Sequence, residues 1–338
     1  MSSAPPGLSV LDLVPVSSGS GPAAAIRAAC AAAQTAERHG YDRYWLAEHH
    51  NSPALACSAT TVLMGAVAAA TETIRVGSGG IMLPNHAPLR VAEDLGTLAV
   101  MYPGRIDCGL GRAPGTDPGT AARLRRGSAD LVDFTRDLTE LHDYLGPATG
   151  APGETEVIGR GAGVRLFVLG SSTGGARAAA ELGLPFSFAS HFAPDQLHEA
   201  LAVYRGNFNP DAPTAQVSAP WVSAAVNVMA ADTVAEAQRQ LLTLRHSFAG
   251  VLTGRRGPLV APGDTVEPHP ILEARVHHSL RVTACGTAAG VVDQLLDWAV
   301  PLGLDEIVTV TYAHDPEVRR RSLALVGDEW ARRRNCCM

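Results

Sequence analysis

The feature that most constrains this chain is an alternation, repeated almost from end to end. Short apolar runs rich in strand formers are followed by longer amphipathic stretches. Residues 8–14 read as a first strand, and 22–39 as an Ala-rich helix stopped by Gly40 just past its end. Residues 41–47 form a second strand, 58–70 a helix capped by Ser58, 74–83 a third strand and 88–101 a helix. A fourth strand covers 105–110, and a helix follows over 128–144. Beyond a Gly/Pro-rich excursion at 146–163 the pattern resumes with strand 166–169, helix 173–182, strand 185–190, helix 194–204 and strand 221–229. A helix over 233–247 takes Asp232 as its N-cap, another covers 287–300, and strand 306–311 leads into a closing helix at 316–330.

Eight strands, each followed by helix, demand a parallel sheet with right-handed crossovers, and eight such units close on themselves. The expectation is an α/β chain, a (β/α)8 TIM barrel with insertions, forming a single domain over residues 1–338. An open doubly wound sheet is the alternative. It is disfavoured because the first strand-to-helix turn, residues 15–21, lacks the glycine fingerprint of dinucleotide folds. The interval 250–273 carries Gly, Pro and charge without a period, and a loop of that length is expected to act as a mobile lid.

Composition removes several classes of function. With 27 Lys and Arg against 33 Asp and Glu, the net charge of -6 gives no basic stripe for a nucleic-acid backbone. The basic cluster at 332–334 reads as a solvated tail. Four of the six cysteines, Cys30, Cys57, Cys108 and Cys285, are scattered, and Cys336 and Cys337 are merely adjacent. No Cys/His spacing suggests a metal, and Cys108 in its apolar strand reads as a small core residue. The first seven residues lack the basic start and apolar run of a signal peptide, and no uncharged apolar run is long enough to span a bilayer. A soluble, cytoplasmic protein is expected.

In a barrel, chemistry belongs at the C-terminal ends of the strands, and four segments fall there. Glu48-His49-His50-Asn51 follows the second strand; imidazole shuttles protons at ordinary pH, and a neighbouring carboxylate tunes it, while a charged surface turn is the plainer reading. Gly77-Ser78-Gly79-Gly80 lies inside the third strand, where glycines imply either a close backbone approach, as to a flat aromatic ring, or a bulge. Arg112, in Gly109-Leu110-Gly111-Arg112, stands where a guanidinium forks onto a phosphate or makes an ordinary surface pair. Leu169-Gly170-Ser171-Ser172-Thr173-Gly174-Gly175 opens a helix, either as an anion pocket of free N–H groups or as simple Ser/Thr capping.

Three strings then carry a resemblance: Tyr44-Trp45-Leu46-Ala47-Glu48-His49-His50, Ile74 through Pro84, and Pro103-Gly104-Arg105-Ile106-Asp107 through Gly111-Arg112. They resemble the bacterial-luciferase-like flavin-dependent monooxygenases. Arg112-Ala113-Pro114-Gly115 and Phe188-Ala189-Ser190-His191-Phe192-Ala193-Pro194 are similar to the single-chain branch of that family. The resemblance implies an enzyme that takes FMN, as FMNH2 from a separate flavin reductase, adds O2 at the flavin C4a and oxygenates a small organic substrate. A secondary metabolite or an aldehyde is the guess at that substrate. The resemblance also implies His49 as catalytic acid/base and Glu48 as a residue near the flavin. It places Gly79-Gly80 as a non-prolyl cis peptide under the isoalloxazine ring, and Arg112 with Leu169, Gly170, Ser171, Ser172 and Gly175 around the phosphate. A second phosphate-contacting arginine is expected among Arg123, Arg125 and Arg126, and the 250–273 interval takes the place of the family's lid.

Two departures stand out. Gly111 replaces a cysteine of the luciferases, and Gly170 replaces an acidic residue, which alters the charge of the phosphate pocket. Hydride transfer with the deazaflavin F420 is the alternative on the same fold, and a non-catalytic flavin-binding protein is a third. His191 and Phe192 face either substrate or core. A homodimer is compatible with the resemblance.

Overall fold

In the computed structural model, which describes residues 5–124, 131–266 and 268–336, the alternation becomes a parallel barrel. Its first half runs β1 (Gly7–Asp12), α1 (Pro22–Arg38), β2 (Arg43–Leu46), α2 (Thr60–Ala70), β3 (Arg75–Met82), α3 (Pro88–Met101), β4 (Ile106–Gly111), α4 (Pro118–Leu124) and α5 (Leu131–Leu145). The second half runs β5 (Arg165–Gly170), α6 (Thr173–Glu181), β6 (Phe186–Phe188), α7 (Leu197–Asn207), β7 (Val222–Ala230) and α8 (Val234–Leu252). It ends with α9 (Pro270–Ser279), β8 (Thr283–Gly286), α10 (Ala288–Ala299), β9 (Glu306–Val310) and α11 (Pro316–Cys336). Strands β1 to β6 pair in sequence, β6 pairs with β7, β7 with β9 and β9 with β1, so eight parallel strands close the ring.

All eight strands of the ring are those read from the sequence. The ninth, β8, was not expected: it pairs with Asn227–Ala230 of β7, while β6 pairs with Val222–Ala224. Gly40 adopts φ +76° one residue beyond the C-cap of α1, as its position requires. Two caps differ from expectation. Helix α2 starts at Thr60 with Ala59 as N-cap, so Ser58 caps nothing. Helix α8 is capped by Thr233, whose side chain accepts from the Glu236 N–H, rather than by Asp232, which instead pairs with Arg321. No described helix is long and apolar enough to cross a membrane.

The floor of the barrel, where the strands begin, is polar and sealed. Arg43 opens β2 and donates to Asp107 of β4 at 2.8 Å and to Glu306 of β9 at 2.9 Å. Arg75, first residue of β3, adds two bonds to the other Asp107 oxygen at 2.6 and 2.9 Å. Asp107 is fully buried and Arg43 nearly so. Above them Trp45 stacks edge-on to Phe167 and donates to Asp107 at 3.3 Å.

The 250–273 interval is not one free loop. Helix α8 continues to Leu252, a 3-10 turn covers Pro262–Asp264, and α9 begins at Pro270. Between them the buried Leu259 is clasped at the exit of β1: its N–H donates to the Val16 carbonyl at 2.8 Å, and its carbonyl accepts from the Ser18 N–H at 2.7 Å. Thr243 of α8 donates to the Val260 carbonyl at 2.9 Å.

Candidate active site

A cavity of about 400 Å³ opens where the strands end. Its wall includes the sequence-predicted residues His49, Gly79, Gly80, Arg112, Leu169, Gly170, Ser171, Ser172 and Gly175. Trp45, Leu11 and Leu13 line it from below. One end of the barrel thus collects segments that lie far apart in the chain, because each follows a different strand.

The glycine run has a packing origin. A β-carbon on Gly77 would lie 2.7 Å from Trp45, one on Gly79 2.6 Å from Leu11, and one on Gly80 2.7 Å from the Gly109 carbonyl. The β3–β4 register slips between Gly79 and Ile81, so a bulge is present, and the Gly79–Gly80 peptide is cis. Close approach to neighbouring strands therefore demands these glycines, and the flat backbone they leave faces the cavity.

At the other wall, Ser172 is the N-cap of α6 in an extended conformation, yet its hydroxyl makes no capping bond. The Gly174 and Gly175 N–H groups make no hydrogen bond to any described residue, as expected for the first turn of a helix without a cap. Only Thr173 is engaged, by Gln196 at 3.2 Å. A β-carbon on Gly174 would lie 3.6 and 3.7 Å from the two terminal Arg112 nitrogens and 3.7 Å from Ser172 Oγ, so the guanidinium sits over this helix start. No described acidic residue pairs with Arg112. Unbonded amides, hydroxyls and a guanidinium without a described acidic partner thus face one space, and Ser172 does not cap the helix through its side chain.

Next to this wall stands His49. Its Nδ1 lies 3.2 Å from the Gly115 carbonyl, which can only accept, so Nδ1 carries the proton and Nε2 is the free acceptor. Burial, reinforced by the positive charge of Arg256, pushes the imidazole down to about 4, so it is neutral at ordinary pH. His191 also lines the cavity. Burial, with His49 nearby, pushes it down to about 3; its Nδ1 has no partner, and Asn227 donates to its carbonyl at 2.6 Å. Phe192 lines the cavity as well.

Glu48 is placed differently from expectation. Its carboxylate does not line the cavity but is buried behind it, accepting from His50 at 2.8 Å, His86 at 2.9 Å and the Met82 N–H at 3.3 Å. Although burial alone would raise it, the two imidazoles hold it down at about 2, and the carboxylate in turn keeps His86 raised. A carboxylate at 2% exposure meets its hydrogen-bonding needs from residues at hand, which turns it away from the open space. His86 was not singled out in the sequence, yet it joins Glu48 and His50 as a third potential ligand. The oxygen–nitrogen spacings are those of hydrogen bonds, so the group reads as an imidazole–carboxylate relay. Arg123 does not line the cavity, and Arg125 and Arg126 lie outside the described residues. Wall residues that sequence reading missed include the polar Arg256, Tyr312 and Asn227.

Fold and site define a (β/α)8 barrel with a cavity at its C-terminal rim, where Arg112 sits over the start of α6. The family model described as luciferase-like monooxygenase matches residues 8–306, and the chain belongs to that family. It is 41% identical over 323 residues to a luciferase-like monooxygenase of Escherichia coli strain K12, covering 95% of this chain and 96% of the relative. It is 32% identical to the N-acetyl-S-alkylcysteine monooxygenase of Bacillus subtilis, covering 95% and 97%. The crystal structure of apo-MsnO8 superposes with a TM-score of 0.87 at 35% identity, covering 97% of this chain and 99% of that one. Family and relatives support an oxygenase-type enzyme.

Proposed function

We propose that this protein is an FMNH2-dependent monooxygenase, supplied with reduced flavin by a separate reductase and acting on a small organic molecule. The observation that carries the reading is the anion pocket at α6, where the unpaired Arg112 meets two unbonded amides beside an apolar cavity. These residues fit a mononucleotide: the dianionic phosphate answers the guanidinium and helix terminus, and Gly170 brings no carboxylate to oppose it. Gly79 and Gly80 offer backbone without side chains to a flat ring. Bound FMNH2 would supply the activation of O2.

The chain's own contribution is positioning, proton handling and dryness. His49 starts neutral and takes a proton at Nε2 as a general base, while the Gly115 carbonyl fixes its tautomer. Leu11, Leu13 and Phe248 line the cavity with apolar surface that excludes water. The 253–261 segment, pinned at Leu259, brings Arg256 to the cavity wall, and its opening would admit flavin.

The test combines the protein, a flavin reductase, NADH and FMN under labelled O2 with a panel of thioethers, aldehydes and aromatic compounds. One labelled oxygen atom in a product is the expected result; no incorporation across the panel overturns the reading. Trp45 lines the cavity, so its quenching reports cofactor choice, and tighter binding of F420 than of FMN or FMNH2 would replace oxygenation by hydride transfer. In the active system His49→Gln should lower turnover by about 10²-fold, since general acid–base groups contribute on that order, with FMN affinity unchanged.

A further inference from the structure

The cavity has a second cation that the phosphate site does not use. Arg256 lines it, from the segment that Leu259 pins to the exit of β1. Its Nε is buried without a partner, and one terminal nitrogen lies 3.4 Å from the Tyr312 hydroxyl. No described acidic residue pairs with it. A half-buried guanidinium facing the cavity without a counter-charge is an unmet electrostatic demand, and an anion entering the cavity would answer it.

Topology separates this cation from the first. In the eight-membered ring, Arg112 follows β4 and Ser171 and Ser172 follow β5. Tyr312 follows β9, and the Val16–Ser18 stretch that holds Leu259 follows β1. Counting around the ring, β4 faces β9 and β5 faces β1. A phosphate held at the start of α6 therefore lies across the ring from the strand exits that carry Tyr312 and pin Leu259. Between them lie His49, His191 and the apolar Leu244, Phe248 and Val251.

We propose that Arg256, supported by Tyr312, receives a carboxylate of the organic substrate, so that the substrate class is small organic acids with an apolar body. This rests on the reading above, in which the α6 pocket takes the cofactor phosphate. Arg256 then orients the acid so that its apolar part lies beside His49, and the docked segment makes the recognition of substrate and the covering of the cavity one event.

Matched carboxylate and carboxamide pairs test it: phenylacetate, 4-phenylbutyrate and octanoate, each titrated by calorimetry against its amide. Titrations are made with FMN-saturated and with FMN-free protein. In the wild type at least one acid should bind at least tenfold more tightly than its amide. That preference should vanish in Arg256→Gln and survive in part in Arg256→Lys, with FMN affinity within twofold of wild type in both. If no acid is preferred over its amide, or the preference persists in Arg256→Gln, the inference is overturned. A tenfold loss of FMN affinity in Arg256→Gln would also overturn it, by placing the residue against the cofactor. Failure of the wild type to bind FMN would sink the flavin reading alone, because the acid preference of the FMN-free protein is read separately. Thermal melts of both variants establish that they are folded.

Discussion

The two ends of the barrel treat positive charge in opposite ways. On the floor, Arg43 and Arg75 are both matched by Asp107, and Arg43 by Glu306 as well, all at 2.6–2.9 Å. At the mouth, Arg112 and Arg256 have no acidic partner among the described residues, and an Arg256 nitrogen is buried without any partner. Both ends use arginine, so residue type does not separate structure from function; the bookkeeping of counter-charge does. A floor that is internally neutral holds strands in register. A mouth left short of negative charge has room for a ligand that brings it.

The largest effect expected from this contrast is on the floor. Asp107→Ala removes the shared partner of two arginines and should cost about 3–5 kcal/mol of stability, the usual result of breaking a buried ion pair. Urea unfolding measures it, and a loss below about 1 kcal/mol would show that the floor cluster is not what holds the strand starts together. The mirror experiment at the mouth is Arg112→Gln. There stability should stay the same or rise, because an unpaired charge has been removed. FMN affinity should fall by roughly 10- to 100-fold, the range for a charge-assisted hydrogen bond of 1.5–3 kcal/mol, while riboflavin, which lacks the phosphate, should bind as before. Equal losses for FMN and riboflavin would break the assignment of Arg112 to a phosphate.

The same contrast explains which parts were legible in the sequence. The ring strands were readable because each carries a mainly apolar or small-residue stretch bounded by turns, and α3 because Pro88 opens it and its apolar stripe runs from Val91 to Ala99. Strand β8 was not, since Thr283-Ala284-Cys285-Gly286 has neither length nor β-branched character beyond one threonine. Helix α9, which begins in the last residues of the expected lid and runs beyond it, was not read because Pro270–Ser279 has no apolar stripe and buries only Val276. Motif reading found the cavity wall wherever a strand exit carried several unusual residues together. It could not find the floor cluster, whose Arg43 lies 64 positions from Asp107 and 263 from Glu306. Nor could it find Arg256, one of two adjacent arginines in a segment with no period. Glu48 was misplaced for a related reason: His86, which helps hold it away from the cavity, is 38 positions distant.

The smallest effect concerns acid, and it belongs to the mouth. His49 is pushed down to about 4 and His191 to about 3, chiefly by burial, whereas an unfolded histidine titrates near 6.5. Their stability contribution is therefore fully present above pH 6.5. It declines as pH falls below that value and is exhausted once the folded groups themselves protonate. His86 is raised and contributes in the opposite sense, present below 6.5 and lost as pH rises above it, so it leaves the slope between pH 6.5 and 4.5 alone. Glu48, lowered to about 2, acts only below about 4.5, the usual value for its side chain. Buried Glu306 is raised and runs against the histidines as pH falls, but it is common to wild type and variant and cancels in their difference. His191→Gln should thus flatten the fall of unfolding free energy between pH 6.5 and 4.5 by about 1 kcal/mol per pH unit, as one pKa unit corresponds to 1.36 kcal/mol. Parallel pH profiles for wild type and His191→Gln would mean that His191 is not held neutral at the mouth, and the apolar, ligand-ready character of that end would lose one of its supports.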